Sequence, residues 1–366
     1  MTEIPQTMRA MVLTGHGEMD KLEYRTDWPV PQADPGEVLI KVHACGLNNT
    51  DVNTRTGWYS KTVSDATTGS AHETVGADDP SWGGAPIRFP RIQGGDAVGT
   101  VVAVGEGADI SLIGRRVMIE PWIRDPGDPL NMNKYGYFGS ECDGGFAEYT
   151  KVVERNVCPV ECDLDDAELA TFATSWITAE NMLNRANVTN GDSVLIPGAS
   201  GGVGSALVQL ANRRGATTVA MATRSKHDEV AALGPDAVVD RSPDNLKAEL
   251  KRTIGSETVS VVADVVGGAY WPMMIDALAR GGRYTCAGAI AGPIVELDLR
   301  TFYLRDLTFT GATAVPPGTF GNLVRYIEDH EVRPVLAGTY PLERLHDAQR
   351  AFIDKKHIGN IVVTME

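Results

Sequence analysis

The sequence predicts an α/β protein, in which a doubly wound domain with a parallel six-stranded sheet accompanies a β-rich domain. Three observations carry that expectation. From Ser193 onward, short apolar strands alternate with helical segments, the pattern of a parallel sheet covered on both faces. Residues Ser193 to Gly204 read Ser-Val-Leu-Ile-Pro-Gly-Ala-Ser-Gly-Gly-Val-Gly, an apolar strand, a glycine-rich turn and the start of a helix. The first part of the chain instead shows β-branched runs separated by Gly, Pro and Asp, which suits a small barrel-like or partly open β domain.

In chain order, strands are expected at Arg9 to Leu13, Val38 to Ala44, Gly99 to Val104 and Arg116 to Glu120, with Gly36-Glu37 and Gly105-Glu106-Gly107 as turn punctuation. The stretch from Ser60 to Pro90 is rich in Ser, Thr, Gly and Asp and lacks periodicity; a loop of that length inside a compact domain is usually functional or mobile. Asp165 to Arg185 reads as one helix. Six strands follow at 193–197, 217–222, 237–240, 259–264, 282–287 and 307–311, with helices at 203–214, 226–233, 244–253 and 269–279. Six strands match the two mononucleotide-binding halves of a doubly wound domain. The tail carries helices over Thr319–Asp329 and Leu342–Lys355 and a strand over Ile358–Thr364, which is expected to return to the first domain. The expected boundaries are 1–157, 158–332 and 333–366.

Composition narrows the function. The chain of 366 residues suits two or three domains, and 43% hydrophobic with 22% charged residues is ordinary for a soluble globular protein. No run reaches the apolar length of a membrane span, and Met1-Thr2-Glu3-Ile4-Pro5 lacks the basic and apolar regions of a signal peptide. A net charge of −15 argues against nucleic acid, whose phosphates demand a Lys and Arg excess. Five scattered cysteines, an odd count, point to reduced thiols in a cytoplasm. Cys158 and Cys162 form a CxxxC pair without the second pair that a zinc site would need.

The turn Ala199-x-Gly201-x-x-Gly204 lies between a strand and a helix. There, free backbone N–H groups and the positive end of the helix dipole face an anion. Gly201 admits a pyrophosphate close to the backbone, and Gly204 lets the helix pack on the strand. A ribose-binding acid about 20 residues further on would mark NAD, but the next strand ends in Thr223-Arg224-Ser225-Lys226. Arg can stack on adenine and Lys can pair with a 2′-phosphate, so the cofactor expected is NADP(H).

Taken together, the motifs resemble those of the medium-chain dehydrogenase/reductases. Gly36 to Val42 is similar to that family's early strand, and Ala44-Cys45-Gly46-Leu47-Asn48 to the entry of its active site. Gly94 to Gly105 resembles its GHE-containing stretch, and Asp143-Gly144-Gly145-Phe146-Ala147-Glu148-Tyr149 its GG-(F/Y)-AEY signature; Gly281-Gly282-Arg283 and His357 to Val362 complete the series. The resemblance implies a GroES-like β domain at both chain ends and a Rossmann domain between them. Zinc members of the family use a Cys, a His beside a Glu, and a third Cys or Asp. Here those positions hold Asn48, Gly95 followed by Asp96, and the neighbourhood of Thr174. Only Cys142 stands near the region of the structural zinc lobe, so no bound metal is expected. His72, Glu73, Asp78 and Asp79 in the long loop read as a solvated polar loop. Without zinc the chain looks most like the quinone oxidoreductase branch, with Gly46 to Asp51 similar to its GVNxxD motif and Arg55 to Tyr59 to its RSGxY run.

That resemblance implies roles. Thr178 would contact the nicotinamide. Ala199, Ser200, Gly201, Gly202, Val203 and Gly204 would hold the pyrophosphate, and Thr223, Arg224, Ser225 and Lys226 the adenosine end. Val266, Gly288, Ala289, Ala312 and Thr313 would line the nicotinamide pocket, with Asn360 where the family often has a basic phosphate ligand. Asn48 is the candidate oxyanion donor, Thr50 the remnant of a proton relay whose next position is Asn53, and Tyr59 the candidate acid. Trp58, Trp122, Tyr135, Tyr137, Phe138 and Trp176 are candidates for an apolar wall. The implied activity is NADPH-dependent reduction of a quinone, an enone or another small α,β-unsaturated carbonyl compound. An alcohol dehydrogenase or carbonyl reductase, and an NADPH-binding sensor with little catalysis, stay open. A homodimer through Leu307 to Gly311 is expected by the same resemblance.

Overall fold

The computed structural model describes residues 3–72, 74–76, 78–79 and 85–365. The first part of the chain forms β1 (Thr7–Leu13), β2 (Leu22–Pro29), β3 (Glu37–Gly46), α1 (Asn49–Thr56), β4 (Arg91–Ile92), β5 (Asp96–Val104), β6 (Arg116–Ile119), β7 (Trp122–Ile123), β8 (Gly136–Tyr137), β9 (Tyr149–Val153) and β10 (Val157–Pro159). Next come α2 (Asp166–Leu169), α3 (Ala173–Arg185), β11 (Ser193–Pro197), α4 (Gly202–Arg213), β12 (Thr217–Ala222), α5 (His227–Ala231), β13 (Ala237–Asp240), α6 (Leu246–Ile254), β14 (Val259–Asp264), α7 (Trp271–Asp276), β15 (Leu278–Cys286), α8 (Leu299–Leu304) and β16 (Thr308–Gly311). The chain closes with α9 (Thr319–Glu328), β17 (Leu336–Pro341), α10 (Leu345–Ile353) and β18 (Asn360–Thr364).

Two compact units result. The first comprises Met1–Val63, Thr68–Thr174 and Pro316–Glu366, the second Ser64–Thr67 and Ser175–Val315. In the first unit a sheet runs β10-β6-β5-β3-β18-β17, with β9 also paired to β3. The final strand β18 pairs antiparallel with β3, Val362 opposite Gly46. Alternate apolar residues of these strands, among them Val38, Ile40, Val42, Val101, Val152, Ile361 and Val363, are buried in one core. Two register shifts between β3 and β5 bend the sheet, as bulges do.

The second unit is a six-stranded sheet in the order β13-β12-β11-β14-β15-β16, every pair parallel. Counted from β11, that is 3-2-1-4-5-6, the dinucleotide-binding order. Its strands are near-continuous apolar runs because helices cover both faces; Leu195, Val219, Val239, Leu250, Val262 and Trp271 meet in one cluster.

The structure departs from the sequence reading in several places. The segment expected as one helix over 165–185 breaks into α2 and α3: past Leu169 the backbone bonding tightens to three residues, with Thr171 N–H on the Glu168 carbonyl (3.1 Å) and Phe172 N–H on the Leu169 carbonyl (3.2 Å). Strand β15 begins at Leu278 rather than 282, and a register shift opposite β14 absorbs the extra residues. Strands β2, β9 and β17 escaped the sequence reading, since none is a continuous buried apolar run: exposed positions interrupt β2 and β17, and half-buried ones β9. Among the described residues of 60–90 there is neither helix nor strand.

Candidate functional site

In the first unit, β3 delivers the chain to a buried polar cluster. Leu47 is fully buried, and α1 begins immediately after Asn48. The Asp51 carboxylate, one turn into α1, accepts the Asn48 N–H (2.8 Å) and the Gly94 N–H (3.3 Å), so it ties the helix start to the segment preceding β5. The Asn48 side-chain amide donates to Asp96 Oδ2 (2.9 Å). Asp96 Oδ1 accepts the Thr174 N–H (2.8 Å) and the Thr174 hydroxyl. That hydroxyl is in turn bonded to the Tyr137 hydroxyl. On the α1 side, the Asn53 side chain bonds the Tyr59 hydroxyl.

Burial sets the electrostatics. Asp96 is fully buried and Asp51 nearly so. Desolvation pushes Asp51 up to about 7, with the Asp96 charge adding to it and the Asn48 and Gly94 N–H groups opposing. Desolvation raises Asp96 to about 6 against hydrogen bonds from Asn48 and Thr174. The same burial, reinforced by these carboxylates, pushes up the Tyr137 phenol and the Cys45 thiol. The Tyr59 phenol rises chiefly by burial, against the Asn53 hydrogen bond. Burial thus raises every titratable group of the cluster above its ordinary value, as an environment of low polarity dictates.

The residue types here do not fit a catalytic zinc. Asn48 and Thr174 offer an amide and a hydroxyl in place of thiolates. A Cβ at Gly95 would stand 3.0 Å from Tyr137 Cε1, 3.1 Å from the Tyr137 hydroxyl and 3.2 Å from Thr174 Oγ1. The tyrosine fills the space into which an imidazole would project. Among the described residues no group of three or more His, Cys, Asp or Glu is placed to hold an ion. In the long loop Glu73 lies outside the described residues, and Asp79 is engaged by the Ser60 hydroxyl (2.6 Å) and the Gly76 N–H (2.8 Å).

Of the candidate catalytic residues, Asn48 lies inside the cluster with one of its two amide protons committed to Asp96. Tyr59 joins from the α1 side and meets Trp58 edge-on (5.6 Å between rings). Thr50 is half-buried on α1 and lies outside this chain of bonds. Asp96, Thr174 and Tyr137 were not recognised as partners in the sequence; the first two stood out only as vacated ligand positions. Of the aromatic wall, Trp122 packs on Tyr137 (5.6 Å) and Tyr135 (5.7 Å), whereas Phe138 and Trp176 are core residues at 0% and 1% exposure.

The second unit carries the cofactor cradle at the carboxyl ends of its strands, where doubly wound sheets bind ligands. The turn from β11 into α4 places Gly198 at φ +68°. Gly201 is the N-cap of α4, with no side chain capping it, so the helix N-terminus is open to an anion. A Cβ at Gly204 would lie 2.2 Å from the Gly198 carbonyl oxygen and 2.6 Å from Ala199 Cα; only glycine permits this contact between helix and turn. Ser200, Gly202 and Val203 complete the turn, and the Val266 side chain packs toward Gly198. The backbone beyond Gly288 and Ala289 docks on the end of β14, Ala291 N–H to Val266 carbonyl at 2.8 Å. Ala312 N–H reaches the Cys286 carbonyl at the end of β15 (2.9 Å), which places Ala312 and Thr313 at the same edge. Thr178, on α3, is half-buried in this unit. These residues fit a dinucleotide.

At the end of β12, Thr223, Arg224 and Ser225 are exposed. The Arg224 guanidinium stands 3.9 Å from Asp240. Burial, with the nearby Arg241 adding to it and Glu229 opposing, holds the Lys226 ammonium below its ordinary value. Arg241 was missed in the sequence because it lies on the following strand's exit; its N–H bonds the Ala222 carbonyl (2.9 Å). Asn360 lies in the other unit, buried to 3% exposure at the start of β18.

A parallel 3-2-1-4-5-6 sheet with a glycine cradle, in a chain whose other unit is a β-rich fold with a buried polar cluster, defines a two-domain nicotinamide-dependent oxidoreductase. The comparisons with known proteins agree. Residues 34–162 match the alcohol dehydrogenase GroES-like domain and residues 202–329 the zinc-binding dehydrogenase family. A crystal structure of a putative alcohol dehydrogenase from Sinorhizobium meliloti is 44% identical, covers 99% of this chain and 97% of its own, and superposes with a TM-score of 0.89. Acryloyl-coenzyme A reductase of Metallosphaera sedula is 26% identical over 98% of this chain and 100% of its own length; human quinone oxidoreductase is 26% identical over 94% of each. The chain belongs to the medium-chain dehydrogenase/reductase superfamily, and within it is similar to the quinone oxidoreductase-like branch. Among the described residues no helix is long and apolar enough to cross a membrane.

Proposed function

We propose that this protein is an NADPH-dependent reductase of quinones, enones or related α,β-unsaturated carbonyl compounds, working without catalytic zinc. The observation that carries the reading is the occupation of the space over Gly95 by Tyr137 and Thr174, which makes the cluster a set of hydrogen-bond donors rather than a metal nest. The Arg224, Lys226 and Arg241 grouping supports a 2′-phosphate. We extend the reading to a cytoplasmic homodimer joined through β16, which ends the sheet beside α8 with Leu299 and Leu304 exposed at 65% and 57%.

Bound NADPH would supply a hydride to the electrophilic carbon of the substrate. The residues of this chain then have three tasks. The α4 N-terminus and its glycines hold the pyrophosphate. The second amide proton of Asn48, whose first is fixed on Asp96, meets the developing oxyanion; a preorganised donor of this kind contributes about 100-fold or more to rate. Asp96 holds that side-chain amide directly, and Asp51 anchors the Asn48 backbone N–H beneath it.

The test is NADPH oxidation at 340 nm against quinones, enones and aldehydes, with metal-stripped and zinc-supplemented protein. Quinone or enone turnover indifferent to zinc, and reduced about 100-fold in Asn48→Ala, is the expected result. Zinc-dependent aldehyde turnover would instead favour an alcohol dehydrogenase. NADPH binding with no turnover would favour a sensor.

A further inference from the structure

The reductase reading needs a proton as well as a hydride, and the first unit contains a chain of groups built to move one. Thr174 Oγ lies between the Asp96 carboxyl and the Tyr137 phenol, bonded to both. The Thr174 backbone N–H pins the same carboxyl oxygen (2.8 Å), and Asn48 occupies the other (2.9 Å). The tyrosine is held from behind: its own N–H donates to the Glu141 carboxylate (2.8 Å), and its ring packs on Trp122. These contacts fix the heavy atoms of the chain and leave the orientation of two hydroxyl protons to vary.

That orientation has two settings. With Asp96 ionised, Thr174 donates to Asp96 and Tyr137 donates to Thr174, so the phenol proton points into the protein. With Asp96 protonated on Oδ1, the carboxyl donates to Thr174, Thr174 donates to Tyr137, and the phenol proton is directed away from Thr174. Resting on the reductase reading, we propose that Tyr137 is a catalytic proton donor of this enzyme, recharged from Asp96 through Thr174. In the step, the Tyr137 O–H bond breaks as a new O–H bond forms on the enolate or hydroquinone oxygen. The Thr174 proton moves to the phenolate oxygen, and the Asp96 proton moves to Thr174. Asp96 is left as a carboxylate and takes one proton from solvent before the next turnover. The substrate has then gained one hydride and one proton, and no other oxidant or reductant enters.

Tyr59 is the competing donor. Its hydroxyl is engaged by Asn53 on the α1 side, and an amide cannot pass on a proton at neutral pH. Tyr59 therefore has no route to be recharged comparable with that of Tyr137.

The experiment compares wild type, Tyr137→Phe, Tyr59→Phe, Thr174→Val and Thr174→Ser with an α,β-unsaturated ketone as probe, in H2O and D2O. Tyr137→Phe is expected to lower kcat about 100-fold, the usual worth of a positioned general acid, with KM and the NADPH dissociation constant unchanged and the solvent isotope effect altered. Thr174→Val should reproduce that loss and Thr174→Ser recover most of it, because only the serine keeps the relay oxygen. In the protein without cofactor, the infrared carboxyl band assigned by Asp96→Asn should shift in Tyr137→Phe and not in Tyr59→Phe. Tyr137→Phe within about threefold of wild type, or a loss confined to KM with the isotope effect intact, overturns the proposal while leaving the reductase reading standing. A wild type that reduces no enone or quinone overturns both.

Discussion

Replacing Asp51 by Asn tests the electrostatics of the cluster without touching a reacting group. Burial lifts the Asp51 carboxyl from its ordinary 3.8 to about 7. A group whose pKa is higher folded than unfolded makes the folded state bind the extra proton, so stability is greatest below the unfolded pKa and declines as pH rises toward the folded one. The window runs from about pH 4 to about pH 7. At about 1.4 kcal/mol per pKa unit, a shift of about three units amounts to about 4 kcal/mol lost across it. Asn cannot titrate, yet its side-chain oxygen can still accept the Asn48 N–H. Asp51→Asn is therefore expected to gain on wild type steadily with pH, by about 4 kcal/mol between pH 4 and pH 7.5. Equilibrium unfolding in guanidinium of both proteins at the two pH values measures it. A stability difference that is the same at both values would refute the reasoning.

Other outcomes follow from the cofactor unit. NADPH should bind at least about tenfold more tightly than NADH, and Arg224→Ala combined with Lys226→Ala should erase that gap while leaving NADH within about twofold; fluorescence titration with each nucleotide reads both. Gly204→Ala sets a methyl group against the Gly198 carbonyl, so NADPH affinity should fall by at least about tenfold while circular dichroism keeps its helical signal.

The fold was more legible than the site. Strand β11, its turn and α4 announce themselves because a period change and three glycines coincide within a few residues, and the strands that follow are buried on both faces and so read as unbroken apolar runs. An edge strand such as β17 carries no such mark, since two of its six residues are exposed and none is buried. In the site, Asn48, Asp51 and Tyr59 lie within one short stretch and could be read together. Thr174 and Tyr137 could not: 37 residues separate them, and their hydroxyls meet only because the β7–β8 hairpin turns Tyr137 over Gly95. A tyrosine in a Gly-rich stretch looks like any packing aromatic until its hydroxyl is found to have a partner.

The return of β18 to β3 has a consequence for how the molecule is made. Synthesis releases β3 early, whereas its neighbour emerges almost a whole chain length later. Until then the edge of β3 that will receive Val362 and Val363 is an unpaired strand with apolar side chains, a template for wrong partners. The second unit suffers no such delay, being nearly continuous in the chain, and can complete its parallel sheet while the first still waits. Nascent protein is therefore most exposed to mispairing along β3 until β18 arrives.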